Sequence, residues 1–300
     1  MQRIAIIGCG LIGASWAALC ASRGLTVLAF DPDSGRRDTL PALVQRLREQ
    51  LGELQPDQGG HVDIVITLAA AVAPADFILE CAPERLDLKV SLLAEIDAAA
   101  TPAAIIASNT SSLLLSEMSA RCRHKARIII GHPFNPPHLM PLVELYGLDQ
   151  CILDRAEAFF KGLGKVTIRL KREMPGHIAN RLGAALWQEA VHLVAEGVAD
   201  VADVDKALAF GPAMRWAGQG THLTYHLGGG VGGIRHYLDH LGPSQEKRWQ
   251  TLGKVQLTDE IKAMLVSGIE ARADGRSIAE LEAERDQFLI GLLKLQAHLR

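Results

Sequence analysis

The chain has 300 residues, twice the ~150-residue span of a typical domain, so two domains, each with its own core, are the first expectation. Hydrophobic residues make up 48% and charged residues 22%, the balance of an ordinary globular protein. The 31 Lys and Arg face 34 Asp and Glu, split as 18 of each sign up to residue 172 and 13 against 16 beyond. No segment carries the clustered positive charge that a nucleic-acid binder or a polybasic membrane binder needs, so both partner classes are excluded.

Arg3 to Ile7 reads as a buried strand, followed by Gly8-Cys9-Gly10-Leu11-Ile12-Gly13 and an apolar helix to about Ser22. A signal peptide is the competing reading of this stretch, and the three glycines argue against it because they mark a sharp strand-to-helix turn. A second strand, Thr26 to Phe30, ends on Asp31. Strand, glycine turn, helix, strand and terminal acid form the dinucleotide-binding fingerprint. The first glycine permits the turn, the second admits a pyrophosphate and the third lets helix and strand pack closely. A carboxylate at Asp31 binds ribose hydroxyls and repels a 2'-phosphate, which favours NAD over NADP, with Arg36 and Arg37 on a solvated helix face.

A helix over 39–54 and a turn at Gly59-Gly60 come next. Strands then follow at Phe77 to Cys81, Ala104 to Ser108, Arg127 to Gly131 and Val166 to Leu170, with helical stretches between. This alternation predicts an α/β fold with a parallel, doubly wound sheet of Rossmann type. Pro175-Gly176 breaks the pattern, and from His177 the periodicity is helical: Ile178 to Gly197, Asp203 to Phe210, Asp259 to Ile269 and Ile278 to Leu299, the last opened by a Ser277/Glu280 capping box. The expected division is an NAD-binding domain over 1–172 and an all-helical domain over 173–300 for substrate and dimer contacts. Cys9, Cys20, Cys81, Cys122 and Cys151 form neither a CxxC pair nor a zinc spacing, which fits a reducing cytoplasm.

Gly131-His132-Pro133-Phe134-Asn135-Pro136-Pro137, running on to Glu144, carries the chemistry. The strand delivers His132 to its carboxyl end, where open α/β sheets bind ligands, and the prolines bend the chain so that Glu144 returns beside it. A histidine backed by a carboxylate suits abstraction of a hydroxyl proton, the one general base that hydride transfer from an alcohol carbon requires.

Gly8 to Gly13, Ser108-Asn109-Thr110-Ser111-Ser112, the 131–137 segment with Glu144, and Pro175-Gly176-His177-Ile178-Ala179-Asn180-Arg181 together resemble the successive motifs of the 3-hydroxyacyl-CoA dehydrogenase superfamily. The resemblance spans almost the whole chain. It implies a catalytic set of His132 as general base, Glu144 as its orienting partner, Ser111 on the reacting oxygen and Asn180 holding the substrate. It implies NAD contacts at Gly8, Gly10, Leu11, Ile12, Gly13, Asp31, Glu84, Lys89, Asn109 and Asn135, and a homodimer formed through the helical domain.

Family members that use CoA carry a long helical insertion after the second strand, which looks shortened here, and the first domain offers no net positive charge to a CoA nucleotide. A small free 3-hydroxy acid is therefore expected. Three of the four Trp lie beyond residue 172. Aromatic faces bind quaternary ammonium groups, so Trp187, Trp216, Tyr225, Tyr237 and Phe134 are candidates for a cation box, with core or interface packing as the alternative. Substrate contacts are then expected from Ser111, Phe134, Asn135, Asn180, Arg181, Trp216 and Tyr225, with Arg215 and Arg235 as further partners for a carboxylate. A hydroxyl-rich sugar acid, a short-chain hydroxyacyl-CoA and a non-enzymatic structural role stay open. His222/His226 and His236/His240 have the i, i+4 spacing of metal ligands, but no HExxH motif accompanies them and no metal is expected.

Overall fold

A computed structural model describes residues 3–298 of the chain. The expected end of the last helix, Leu299, lies outside the described residues. Residues through Asn180, with Phe288–Lys294, form one compact unit, and Arg181–Gln287 with the segment from Leu295 on form a second. The first unit thus runs past residue 172 to Asn180.

Elements alternate through the first unit: β1 (Arg3–Ile7), α1 (Leu11–Ser22), β2 (Thr26–Phe30), α2 (Ser34–Gly52), β3 (His61–Ile64), α3 (Leu68–Val72), β4 (Phe77–Glu80), α4 (Leu86–Ala99), β5 (Ile105–Ser108), α5 (Leu115–Met118), β6 (Ile128–Pro133), β7 (Leu142–Gly147), α6 (Gln150–Gly162) and β8 (Val166–Arg169). The eight strands form one sheet in the order β3-β2-β1-β4-β5-β6-β7-β8. The reversal of strand order beside β1 makes the sheet doubly wound and opens a crevice at its carboxyl edge.

Alternation along each strand supplies two apolar layers. Ile4, Ile6, Phe77, Leu79 and Ile129 join Trp16, Leu40 and Phe160 on one face, while Ala5, Ile7, Ile78, Ile106 and Ile130 meet Leu93, Ile96 and Met118 on the other. Strands covered on both faces read as continuous apolar runs, which is why β1, β4 and β5 are legible in the sequence. All neighbours pair in parallel except β6 and β7, which are antiparallel. β7 and β3 escape the sequence reading. The connection from Phe134 to Pro141 is too short for a parallel crossover and forces the chain back antiparallel.

The second unit is helical: α7 (Ala179–Ala195) leads into it, followed by α8 (Val201–Phe210), α9 (Pro212–Gly228), α10 (Gly233–Gln250) and α11 (Asp259–Ala273), and α12 (Ile278–His298) ends the described chain. Asp200 caps α8 and Thr258 caps α11 through their side-chain oxygens. α9 and α10 lie outside the helices expected from the sequence, and the glycine run between them forms a short 3-10 turn, Gly230–Gly232. Gly220, at φ +72°, kinks α9, and Pro243 sits inside α10. No helix among the described residues is long and apolar enough to cross a membrane.

Candidate active site

The glycine turn is shaped by close approach. Gly8 has φ +103°, and a Cβ there would lie 2.7 Å from the Cys81 carbonyl oxygen. A Cβ on Gly13 would stand 1.8 Å from the Gly8 oxygen, so α1 packs on β1 only because residue 13 has no side chain. Gly10 is different. A Cβ there would meet only the end of Arg36, at 3.4 Å, so the space before α1 is open. No side chain caps the first N–H groups of α1. An open backbone with free N–H groups at a helix start is what a pyrophosphate needs, so these residues fit a dinucleotide.

Asp31 ends β2 and is buried. Its Oδ2 accepts from the Cys9 N–H at 2.7 Å and its Oδ1 from the Asp33 N–H at 2.9 Å. Arg37 donates to the carbonyls of Asp31 and Pro32. Two cavities of about 540 Å³ each adjoin the turn. One holds Gly8, Phe30, Asp31 and Arg36; the other holds Ile12, Glu84, Asn109, Ser111, His132 to Asn135, and Asn180. Cys81, Ala82 and Pro83 line both. A molecule with two connected halves suits such a paired site.

His132 and Glu144 are register partners across the β6–β7 ladder, which puts their side chains on the same face. His132 Nδ1 lies 2.8 Å from Glu144 Oε2, with the side chains 5% and 0% exposed. Glu144 Oε1 accepts the N–H groups of Ile178 and Ala179 at 2.9 and 3.1 Å. Burial pushes the Glu144 carboxyl up, but the His132 bond and the two backbone donors outweigh it and hold the group below the ordinary carboxylate value. A carboxylate on Nδ1 fixes the proton there and leaves Nε2 bare as a proton acceptor.

A second carboxylate organises the opposite wall. Glu84 Oε1 receives the Thr110 hydroxyl at 2.6 Å and the N–H groups of Ser111 and Ser112 at 2.9 Å each. Burial raises its pKa, and these donors together with Lys89 bring it below the usual value. The Asn180 Nδ2 donates to the Ser111 carbonyl at 3.1 Å. Asn109 is spent on the scaffold: its Nδ2 donates to the Glu80 carbonyl and its Oδ1 accepts from the Trp16 indole at 2.6 Å.

Lys89 does not line either cavity. It is 1% exposed and its Nζ bonds both Glu80 carboxylate oxygens, at 2.7 and 2.9 Å, and the Ala82 carbonyl. The Phe134–Met140 loop is pinned from beneath. Lys165 Nζ donates to the carbonyls of Pro137 and Met140 and stands 5.4 Å from the Trp16 ring centroid. Burial lowers its pKa to about 7. Phe134 packs edge-on against His132, with ring centroids 5.7 Å apart.

Arg181, Trp216 and Tyr225 belong to the second unit and are not among the residues lining these cavities. Tyr225 packs on Tyr237 at 5.1 Å, and Trp187 is 57% exposed. The His236 and His240 rings stack at 4.0 Å, His226 Nδ1 accepts the Ile234 N–H, and no group of three or more potential ligands that could hold a metal occurs among the described residues. Sequence reading missed Glu80, Lys165 and Trp16 as supports of the site. His177 falls within the Pro175–Arg181 motif, which by itself assigns it no role. An acid ending a strand beside the cleft was the available signal for Glu80. Trp16 and Lys165 are far apart in sequence and meet only through the fold.

Residues 3–174 match the family model described as the NAD binding domain of 3-hydroxyacyl-CoA dehydrogenase, and residues 176–263 match that enzyme's C-terminal domain. The chain belongs to this family and is an NAD-dependent oxidoreductase. Curated relatives include an L-carnitine dehydrogenase of Nocardiopsis dassonvillei, 45% identical over 98% of this chain and 91% of its own length. Another, from Pseudomonas putida, is 41% identical over 98% of this chain and 94% of its own length. Among solved structures, a 5-formyl-3-hydroxy-2-methylpyridine 4-carboxylic acid 5-dehydrogenase shares the fold, with TM-score 0.80, 24% identity and 98% of both chains covered. An (S)-3-hydroxybutyryl-CoA dehydrogenase from Ralstonia eutropha gives TM-score 0.62 and 27% identity over 69% of this chain and 76% of its own.

Proposed function

We propose that this protein is an L-carnitine dehydrogenase, oxidising the 3-hydroxyl of L-carnitine to give 3-dehydrocarnitine. Full-length relatives of that name at 37–45% identity support the substrate. The observation that carries the chemistry is the buried His132–Glu144 pair opening on a cleft beside a dinucleotide turn.

Gly8, Gly10 and Gly13 of the turn, with Asp31 for the adenosine ribose, would hold NAD+, which would supply the hydride acceptor for C3. His132 Nε2 takes the hydroxyl proton as the C–O bond becomes a carbonyl, and Glu144 stabilises the imidazolium that forms. Ser111, whose hydroxyl donates to Glu84 Oε1 at 3.2 Å in the structure, turns that proton to the reacting oxygen when substrate binds, and Asn180 holds the wall that carries Ser111. Asn135, Asn109 and Glu84 face the nicotinamide side. Lys89 acts there through Glu80 and Ala82, since its ammonium is fully engaged. Phe134, on the wall of the His132 cavity, faces the substrate, while Arg181, Trp216 and Tyr225 of the second unit stand as candidates for its carboxylate and trimethylammonium groups.

The residues lining the His132 cavity include no Lys or Arg, so CoA phosphates find no anchor there, and this favours a small acid over an acyl-CoA. The exposed apolar side chains of the second unit support a homodimer through its helices, to be checked by light scattering. Five unbridged cysteines suit a cytoplasmic enzyme. Initial rates of NADH formation with L-carnitine, D-carnitine, L-gulonate, 3-hydroxybutyrate and 3-hydroxybutyryl-CoA test the reading. L-carnitine should give the highest kcat/KM, and a higher value for any other substrate refutes the assignment.

A further inference from the structure

His177 is 1% exposed, yet it stands in the left-handed region at φ +51°, a conformation that costs a side-chain-bearing residue energy. Its Nε2 lies 3.0 Å from the Thr110 carbonyl oxygen. A carbonyl only accepts, so the ring proton is on Nε2. Its Nδ1 is one of three buried side-chain polar atoms without a hydrogen-bond partner among the described residues. The ring centroid is 5.0 Å from that of His132. A phenylalanine, though somewhat larger, would bury an aromatic ring there without stranding a nitrogen, so what the imidazole adds is its Nε2–H.

That N–H has a definite place in the site. Residues 177–180 bind both walls of the cleft: Ile178 and Ala179 donate to Glu144, behind His132, while His177 and Asn180 donate to the carbonyls of Thr110 and Ser111. Glu84 holds the Ser111 N–H and hydroxyl from one side, and the segment ties that wall to Glu144 from the other, so the two together set how far the Ser111 hydroxyl stands from His132 Nε2; in the proposed reaction both must meet one substrate oxygen. Burial holds the His177 pKa below the ordinary imidazole value. The Thr110 bond raises it, His132 lowers it, and the Glu144 and Glu84 carboxylates raise it. A neutral ring adds no charge beside the proton acceptor.

We infer that His177 is a positioning residue of the dehydrogenase: its neutral ring, locked as the Nε2–H form by Thr110, holds the Ser111 wall in register with the His132–Glu144 pair. This rests on the reading of His132 as the base. The test compares His177→Phe, which keeps the ring and removes the donor, with His177→Gln, whose amide nitrogen reaches about as far as Nε2 and cannot titrate. With L-carnitine and NAD+, His177→Phe should lower kcat about tenfold or more, as misplacement of reacting groups does. Its NADH affinity, read by fluorescence titration, should stay within about twofold of the parent's, and His177→Gln should recover kcat to within about threefold.

Turnover of His177→Phe equal to the parent's, or equal losses in both variants, overturns the inference. Nitrogen-15 shifts of the cofactor-free protein give a second readout that survives even if His177→Phe fails to fold. A neutral Nε2–H ring at pH 7.5 is expected, and an Nδ1–H or charged ring refutes it. His132→Ala separates the two claims. If that variant turns over normally, the base assignment falls whatever His177 does; if it is inactive and His177→Phe is not impaired, only the His177 inference falls.

Discussion

The two units bury their apolar residues to very different degrees. In the first, β1, β4, β5 and β6 are covered on both sides, and Trp16, Phe77 and Phe160 are each 0–1% exposed. In the second, only Val191, Val201 and Tyr237 among the described hydrophobic residues are buried, while Phe210 is 79%, Met214 67% and Trp249 65% exposed. α9 and α11 contain no buried residue at all. A sheet closes its own core because each strand offers two faces to helices already in the chain. A set of helices with outward apolar faces is finished only by another surface. The first unit holds the candidate chemistry on a closed core, while the second leaves most of its apolar side chains exposed.

The sharpest way to break this contrast is to remove the base. His132→Ala should lower kcat by roughly 10²–10⁴-fold while the melting temperature and the oligomeric state stay put. Turnover within a few-fold of the parent would show that the first unit does not hold the proton acceptor. Next in size is the core. Phe77→Ala, which removes a ring stacked on Phe159 at 4.0 Å, should cost about 3–5 kcal/mol in denaturant unfolding. Trp249→Ala should leave that unfolding curve within about 0.5 kcal/mol, as surface changes do, unless the dimer is lost. A large loss from Trp249 in a monomeric sample would erase the distinction between the units.

A smaller effect follows from Lys165. Its folded pKa is about 7 against 10.5 for the free side chain, so between those values the unfolded chain holds a proton that the folded chain has released. Stability must rise with pH across that window. Above pH 9 the buried thiols of Cys9 and Cys20, pushed up to about 12, act in the opposite sense. Melting temperature should therefore climb from pH 7 to pH 9, and Lys165→Met should flatten the climb. An unchanged slope in that variant would remove Lys165 as its source. Smallest is the cation box: Trp216→Ala should raise KM for L-carnitine by about 2- to 30-fold, the loss of one cation–π contact, and leave KM for 3-hydroxybutyrate alone. Equal changes for both acids would return Trp216 to packing.

Much of the first unit is legible in sequence because its strands are uniformly apolar and its turns are fixed by Gly8, Gly10 and Gly13. The meeting of His132 and Glu144 is legible too, although its cause is not. The expectation was a proline-bent loop, whereas β7 returns beside β6 and makes the two residues direct partners. Lys89 shows the opposite limit. The family resemblance implies a cofactor contact at Lys89, but in the fold its ammonium turns inward onto the buried Glu80 carboxylate at the end of β4. In the second unit α9 is kinked at Gly220 and parted from α10 by the glycines at 228–233, and these breaks hide the helical period of both in the sequence. Sequence also does not separate an aromatic side chain that packs in a core or interface from one that faces a ligand, which is why Trp216 and Tyr225 admit both a cation-box and a packing reading.

Glu144 joins three stretches of chain with one carboxylate: the strand that bears it, the histidine opposite, and the first amides of the segment that opens α7. Turnover and the folding of that segment are thereby interlocked. Any change that frays residues 178–180, even one far from the cleft wall, would free one carboxylate oxygen and let His132 swing. Activity should then vanish before the sheet begins to melt, so loss of turnover on gentle heating serves as a gauge of that single junction.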